Sequence, residues 1–240
     1  ACPVGAIDLD ARHREETVSV AAVVLAAGSG LFDAASSPGF TSYRSTPAVM
    51  TSLEFERALS SSGTYSWKRG ITRPGDGKPV KRIAWLQCVG SRNRKEGRDF
   101  CSAVCCMFAL KEAVLAKERG GPGTEVTIFY MDMRTYGKEY QRYREEAVRD
   151  KGVRLVRCRT HSVRQAPGGE AEIRYFGDDG APHEERFDLV VLAAGQSPPP
   201  EATELQRHFA FDLTPAGFVR TVDGEQVCTS AEGVFVCGAM

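Results

Sequence analysis

The sequence predicts an α/β protein with parallel sheets, flanking helices and a small antiparallel appendage. Three observations carry that expectation. Between residues 82 and 157, apolar runs short enough for buried strands alternate with stretches of helical periodicity. The hexapeptide VVLAAG occurs at residues 23–28 and again at 190–195, each time reading as a buried strand that ends in a tight glycine turn. The two copies, starting at Val23 and Val190, stand 167 residues apart, far beyond the period of a solenoid, which implies two related α/β domains with one nested inside the other.

The elements follow in order. Residues 17–22 (TVSVAA) carry alternating apolar residues and extend the first VVLAAG strand upstream. Residues 29–79, rich in Ser, Gly and Pro, read as connection, except that residues 52–60 (SLEFERALS) form a short helix capped by Thr51 or Ser52. Residues 82–86 (RIAWL) form a buried strand with Cys88, Val89 and Gly90 at its carboxyl end. Residues 101–119 (CSAVCCMFALKEAVLAKER) have helical spacing, with Asp99 or Ser102 near the start and Gly120-Gly121 as the stop. A strand at 125–131, a helix at 136–150 and a strand at 153–157 complete a β-α-β-α-β series, expected to give a parallel sheet. Residues 160–164 and 171–176, split by Pro167-Gly168-Gly169, form the antiparallel appendage, and residues 187–194 return to the sheet. Residues 233–239 (GVFVCGA) are a strand running into a glycine.

Composition sets the outer bounds. A chain of 240 residues holds one large or two modest domains, and 42% hydrophobic residues suffice for a packed core. Acidic and basic residues balance at 31 each, which argues against a dedicated nucleic-acid surface or a polybasic membrane surface. No apolar stretch is long enough to span a bilayer and no signal peptide opens the sequence, so the expected location is the cytoplasm.

Four of the eight cysteines, Cys88, Cys101, Cys105 and Cys106, surround one strand-to-helix junction. Helical spacing stacks Cys101 and Cys105 on one face and turns Cys106 about 100° further round, so the thiols spread across the positive end of the helix, which favours an anionic thiolate–metal centre. Four thiolates suit zinc or an iron–sulfur cluster. Structural zinc sites use short chelating knuckles, and no two cysteines here are separated by two residues. A cubane is wider and accepts neighbouring cysteines at different corners, so the reading favours a [4Fe-4S] cluster over small buried hydrophobes, which free cysteines often are. Cys2-Pro3 matches the last step of the ferredoxin motif C-x2-C-x2-C-x3-C-P, which implies a ferredoxin-like module whose other cysteines precede Ala1; a frayed terminal cysteine is the plain alternative. Both ends of the chain read as cut from a longer polypeptide. The G-x-G-x-x-G of a nicotinamide site is absent after the 82–86 strand, where Gln87-Cys88-Val89-Gly90-Ser91-Arg92 stands instead, so a metal site replaces a nicotinamide site.

These residues resemble the A-type subunits of heterodisulfide reductase and their bacterial relatives, flavin and iron–sulfur proteins on a thioredoxin-reductase-like scaffold of two dinucleotide-binding domains. The resemblance runs along nearly the whole chain and is most specific at ACPVGAIDLD (1–10), RIAWLQCVGSR (82–92), CSAVCCMFALK (101–111), TIFYMDMRTYG (127–137) and EGVFVCGA (232–239). It implies that Cys88, Cys101, Cys105 and Cys106 bind a [4Fe-4S] cluster beside FAD, and that Cys2 completes a cluster in the inserted module. It also implies that residues 23–28 and 233–239 line the FAD site, giving Ala27, Gly28, Gly238 and Ala239, with Gly195 at the second VVLAAG, as cofactor contacts. The glycine-rich loop of that site belongs upstream of Ala1. Lys111 is a further candidate, placed either to stabilise a reduced flavin or as a solvated helix residue. Asp132, Arg134, Tyr136 and Lys138 follow a strand's carboxyl end and read as partner or cofactor contacts or as an ordinary polar loop.

The resulting organisation is the end of an inserted ferredoxin-like module at 1–10, part of an FAD-binding domain and connection at 11–79, a nicotinamide-domain-like α/β unit carrying the cluster site at 80–197, and a return to the FAD-binding domain at 198–240. The implied function is electron transfer between a two-electron donor, FAD and [4Fe-4S] clusters, with flavin-based bifurcation to ferredoxin and a disulfide-reducing partner as its fullest form. The implied partners are B- and C-type subunits of a heterodisulfide-reductase-like complex, ferredoxin, and an input module that is a hydrogenase, a formate dehydrogenase or a pyridine-nucleotide unit. Two rivals stand beside it: an NAD(P)H-dependent disulfide reductase, disfavoured by the missing C-x-x-C pair and nicotinamide fingerprint, and a non-enzymatic zinc-stabilised scaffold.

Overall fold

The structure is a computed structural model and describes residues 2–65 and 70–240. Ala1 and residues 66–69, which the expected first module and connection include, lie outside the described residues.

The central feature is a five-stranded, wholly parallel sheet of order β3-β10-β4-β5-β6. Its strands are β3 (Val49–Thr51), β4 (Arg82–Val89), β5 (Glu125–Tyr130), β6 (Arg154–Arg157) and β10 (Leu189–Ala194). The expected β-α-β-α-β series forms the β4, β5, β6 flank, with α2 (Cys105–Gly120) and α3 (Tyr140–Arg149) as its connections. The connecting segment contributes more than a link: β3 takes the sheet edge beside β10, upstream of the boundary expected at residue 80. It leads directly into α1 (Ser52–Leu59), where Thr51 caps the helix and Glu54 closes a reciprocal capping box.

Strand alternation sends side chains to opposite faces, and each face is covered differently. On one face Ile83, Trp85, Ile128 and Val191 pack beneath Phe55 of α1 and Ala109, Leu110 and Ala113 of α2. Trp85 is fully buried and meets Phe55 edge-on at 5.4 Å. On the other face Leu86, Phe129, Val190 and Leu192 meet Val163, Ile173, Tyr175 and Phe187 of an antiparallel meander. That meander is β7 (Thr160–Gln165), β8 (Ala171–Phe176) and β9 (Pro182–Phe187). The third strand adds to the two that the sequence predicts; its PHEERF begins with proline and is otherwise almost entirely polar, so it carries no strand pattern of its own.

A separate small core joins the two ends of the chain. β1 (Val23–Leu25) and β12 (Val234–Val236) pair in parallel, Val23 opposite Val234. Leu25, Phe211, Val219, Val236 and Met240 pack around them, with Leu205 and Phe209 of α4 (Ala202–Phe209) against them. Two short strands, β2 (Gly30–Leu31) and β11 (Gln196–Ser197), pair antiparallel. The strand expected over residues 17–22 is not formed: Val18 and Val20 are exposed, and no neighbouring strand takes their main-chain hydrogen bonds.

Candidate metal centre

The strand β4 delivers Cys88 to the carboxyl edge of the sheet, where α/β proteins bind ligands. The backbone there is unusual. Cys88, Arg92 and Ala103 all adopt the left-handed region, with φ of 62°, 56° and 60°, and they are three of only five non-glycine residues to do so among the described residues. Gly90 between them has φ 69°, and a Cβ there would lie 2.1 Å from the Phe32 ring. Such conformations persist where surrounding contacts over-determine them, and they concentrate at functional sites.

The left-handed turn at Ala103 corrects one expectation. Cys101 does not lie in the first turn of the helix, which begins at Cys105, so Cys101 and Cys105 are not stacked on a helical face. Cys101 stands in the preceding loop, where the Ala103 N–H donates to its Sγ at 3.4 Å. Cys105 and Cys106 occupy the first two helical positions and are buried. The four thiols act on one another electrostatically. Burial, then the neighbouring Cys106, push Cys88 up to about 11. Cys105 donates to Cys106, which raises Cys105 and holds Cys106 down to about 6, helped by the Arg134 N–H. The Cys106 Sγ also donates to the Asp132 carbonyl at 3.8 Å.

A set of four thiols is not by itself a cage. Among the described residues, no group of three or more His, Cys, Asp or Glu side chains is already placed to hold a metal ion. Zinc takes its ligands around one point, whereas a cubane spreads them over four corners. A wider thiolate-bound cluster fits the donor chemistry better. Two donors beside Cys88, Gln87 Nε2 and Arg92 Nη1, are buried without an oxygen acceptor, and the sulfurs of such a centre accept from N–H groups.

Residues that carry no metal motif close the junction. Ser91 and Ser102 share a hydrogen bond of 2.7 Å, and Ser102 also accepts the Gln196 N–H at 2.8 Å. Arg98 donates to the Gly90 carbonyl and to the Gln196 carbonyl, and stacks over Phe32 and Phe100. Gly195 sits against this knot: a Cβ would lie 2.1 Å from Ser91 Oγ, its N–H donates to the Val89 carbonyl, and its own carbonyl accepts from Phe32. The one signal in the sequence for the pairing of Ser91 with Ser102 is that both stand close to cysteines.

The glycine-bearing strand ends are brought together elsewhere. Gly28 (φ 74°) and Gly238 (φ 81°) follow the paired strands β1 and β12, and open space surrounds the Cβ position of each. The Cys237 N–H donates to the Leu25 carbonyl at 2.9 Å, and the Ala27 N–H points at Met240 Sδ at 3.3 Å, so Ala27, Gly28, Gly238 and Ala239 form one neighbourhood. Lys111 is not directed there; its Nζ pairs with Glu56 of α1 at 2.7 Å on the exposed side of α2. Cys2 is a free thiol, and the N–H groups of Val4 and Ala6 face its sulfur and lower its pKa.

Known proteins are similar to this sequence. The chain is 37% identical over 242 residues to the A-type iron-sulfur subunit of the CoB–CoM heterodisulfide reductase of Methanocaldococcus jannaschii, covering 99% of this chain and 36% of that protein. Along nearly its whole length the chain is a relative of the heterodisulfide reductase A-type subunits. It is 35% identical to a second such iron-sulfur subunit, from Methanopyrus kandleri, covering 98% of this chain and 36% of that one. It is 34% identical to the A-type subunit of the ferredoxin/F420H2-dependent CoB–CoM heterodisulfide reductase of Methanosarcina acetivorans, covering 99% and 30%. This heterodisulfide-reductase-like chain thus spans about a third of the length of the curated relatives it matches. No family model matches it. Among solved structures it resembles a thioredoxin reductase from Gloeobacter violaceus (TM-score 0.42, 16% identity, 91% of this chain and 54% of that one) and LpdA from Mycobacterium tuberculosis (0.44, 18%, 91% and 37%).

Proposed function

We propose that this chain is the electron-transferring part of a heterodisulfide-reductase-like A-type subunit, with Cys88, Cys101, Cys105 and Cys106 holding a [4Fe-4S] cluster and the 27–28 and 238–239 strand ends contributing to an FAD site. The observation that carries the reading is the gathering of four mutually interacting thiols at one strand-to-helix junction, in a chain related along 99% of its length to a protein named as an iron-sulfur subunit. When bound, a cluster supplies one-electron transfer and FAD converts between single electrons and pairs.

The protein's own residues do the rest. The left-handed turns at Cys88 and Ala103 direct the chain so that Cys88 and Cys101 approach the helix from outside. The start of α2 presents Cys105 and Cys106 where the helix dipole favours anionic sulfur. The open backbone at Gly28 and Gly238 lets a dinucleotide approach the main chain closely. Cys2, with N–H groups of the following turn aimed at its sulfur, suits a ligand of a second, ferredoxin-like cluster.

Relatives are named for ferredoxin, H2, formate and CoB–CoM heterodisulfide. Ferredoxin, a hydrogenase, formate dehydrogenase or pyridine-nucleotide input module, and B- and C-type subunits are accordingly the partners proposed here. Bifurcation at the flavin is the fuller form of the same proposal. A cytoplasmic location accords with it; among the described residues no helix is long and apolar enough to cross a membrane. The test is anaerobic reconstitution followed by iron, sulfide and zinc analysis and visible spectroscopy of the wild type and Cys105→Ala. About four irons per chain with broad absorption near 400 nm, lost in the variant, is the expected result. A colourless or zinc-loaded wild type refutes it.

A further inference from the structure

We propose that Arg92, Arg134 and Arg157, gathered on the carboxylate of Asp132, form a cationic collar that raises the reduction potential of the centre held by the four cysteines, with Arg92 as its principal member. The inference rests on the cluster reading above and adds to it a group that sets the direction of electron flow.

Asp132 lies just past the carboxyl end of β5, level with Cys88 at the end of β4. Its Oδ2 accepts from Arg92 Nη2 at 2.8 Å, its Oδ1 faces Arg157 Nη2 at 3.6 Å, and the charge of Arg134 also bears on it. Its main-chain carbonyl lies 3.8 Å from the Cys106 sulfur. One residue therefore ties the arginines to the thiols. Three guanidiniums around one carboxylate leave a net positive charge, and guanidinium does not lose its proton in proteins.

Arg92 is the best placed of the three. It follows Cys88 by four residues through two left-handed positions, and its side chain is only 26% exposed. One arm of its fork is committed to Asp132, while the buried Nη1 meets no oxygen acceptor and the guanidinium reaches the Cys88 sulfur. Its charge acts on both Cys88 and Cys106. A surface arginine that served only to hold the 131–134 loop would not need a second arm turned inward toward a cysteine sulfur. Each electron added to a thiolate-bound cluster adds one negative charge and needs no proton, so a fixed cation beside the sulfurs favours the reduced state, and it acts more strongly where water is excluded.

The test is a potentiometric titration, followed by electron paramagnetic resonance, of the reconstituted full chain and its Arg92→Met and Arg92→Lys variants, with iron and sulfide measured first. Held at the wild-type midpoint, Arg92→Met is expected to lower the reduced-to-oxidised ratio about tenfold, equivalent to about 59 mV for a one-electron couple. Arg92→Lys keeps the charge and is expected to stay within about threefold of the wild type. A midpoint in Arg92→Met equal to the wild type overturns the proposal, as does an equal fall in both variants. Where Arg92→Met fails to load iron, Arg134→Met and Arg157→Met titrate the same collar, and the absence of a downward shift in both overturns it. A wild type that binds no iron removes the cluster reading itself, a different result from a loaded wild type with an unmoved potential.

Discussion

Replacing Glu112 with glutamine is expected to abolish a pH-dependent loss of stability that the wild-type chain carries between about pH 4.5 and pH 8. Glu112 lies on α2, is 2% exposed, and accepts a hydrogen bond from the Trp85 indole N–H at 2.8 Å beneath the helices that cover the sheet. Burial pushes its carboxyl up to about 8 from an ordinary 4.5; Trp85 opposes the shift, Glu56 of α1 adds to it and Lys111 opposes it. The sign follows from proton counting. Below pH 4.5 the carboxyl is protonated whether the chain is folded or not. Between 4.5 and about 8 the native chain keeps a proton that the unfolded chain has released, so raising the pH destabilises the fold by about 1.4 kcal/mol per pH unit. Over that whole window the loss is on the order of 5 kcal/mol, large against the total stability of an ordinary domain. Glutamine keeps the shape and the acceptor for Trp85 but has no proton to lose. Urea midpoints of the iron-free, reduced chain, measured from pH 5 to 8.5, should fall in the wild type and change much less in Glu112→Gln, with the two curves diverging as pH rises. Parallel curves would refute the reasoning.

Two further substitutions test the cysteine junction by denaturation alone. Ala103→Gly should stabilise the chain by up to about 1 kcal/mol, because the relief of a left-handed alanine, about 1–2 kcal/mol, exceeds the extra freedom glycine gives the unfolded chain, and an unchanged or lower urea midpoint would count against strain at Ala103. Gly195→Ala places a methyl 2.1 Å from Ser91 Oγ and 2.8 Å from Ser102 Oγ, and should destabilise by about 1–3 kcal/mol while breaking the bond between the two serines; a loss of only a few tenths would show that the knot can yield.

Where local pattern and tertiary packing agree, the fold is legible in the sequence. The run RIAWL is apolar on both sides because β4 is covered on both faces, and SLEFERAL announces its helix through Thr51 and Glu54. The two VVLAAG copies do become strands followed by glycine, directly in β10 and after Ala26-Ala27 in β1, yet the glycines serve for different reasons. Gly28 turns through a positive φ into open space, while Gly195 is needed because Ser91 fills the room a side chain would take. Identical hexapeptides cannot carry that difference, since it is set by residues far away in sequence. α3 begins at Tyr140, four residues later than its periodicity implies, because Gly137 and Glu139 hold left-handed conformations that periodicity does not register.

The same limit governs the centre itself, and there it changes the chemistry. Helical spacing over residues 101–119 places three thiols on one rigid element and leaves Cys88 as an outlier. In the folded chain the division is two and two: Cys105 and Cys106 are fixed at the start of α2, while Cys88 and Cys101 come from backbone held in or beside left-handed turns. A four-residue spacing on a helix keeps two sulfurs about one turn apart, along the helix axis. Releasing Cys101 into the loop lets it act on Cys88 across the junction, so that the donors come from two sides of the site and can surround a centre wider than one ion. What holds those turns in place is the knot of Ser91, Ser102, Gly195 and Arg98, none of which carries a recognisable metal motif. The cysteine spacing indicates which thiols are available; the residues around them determine how they are presented.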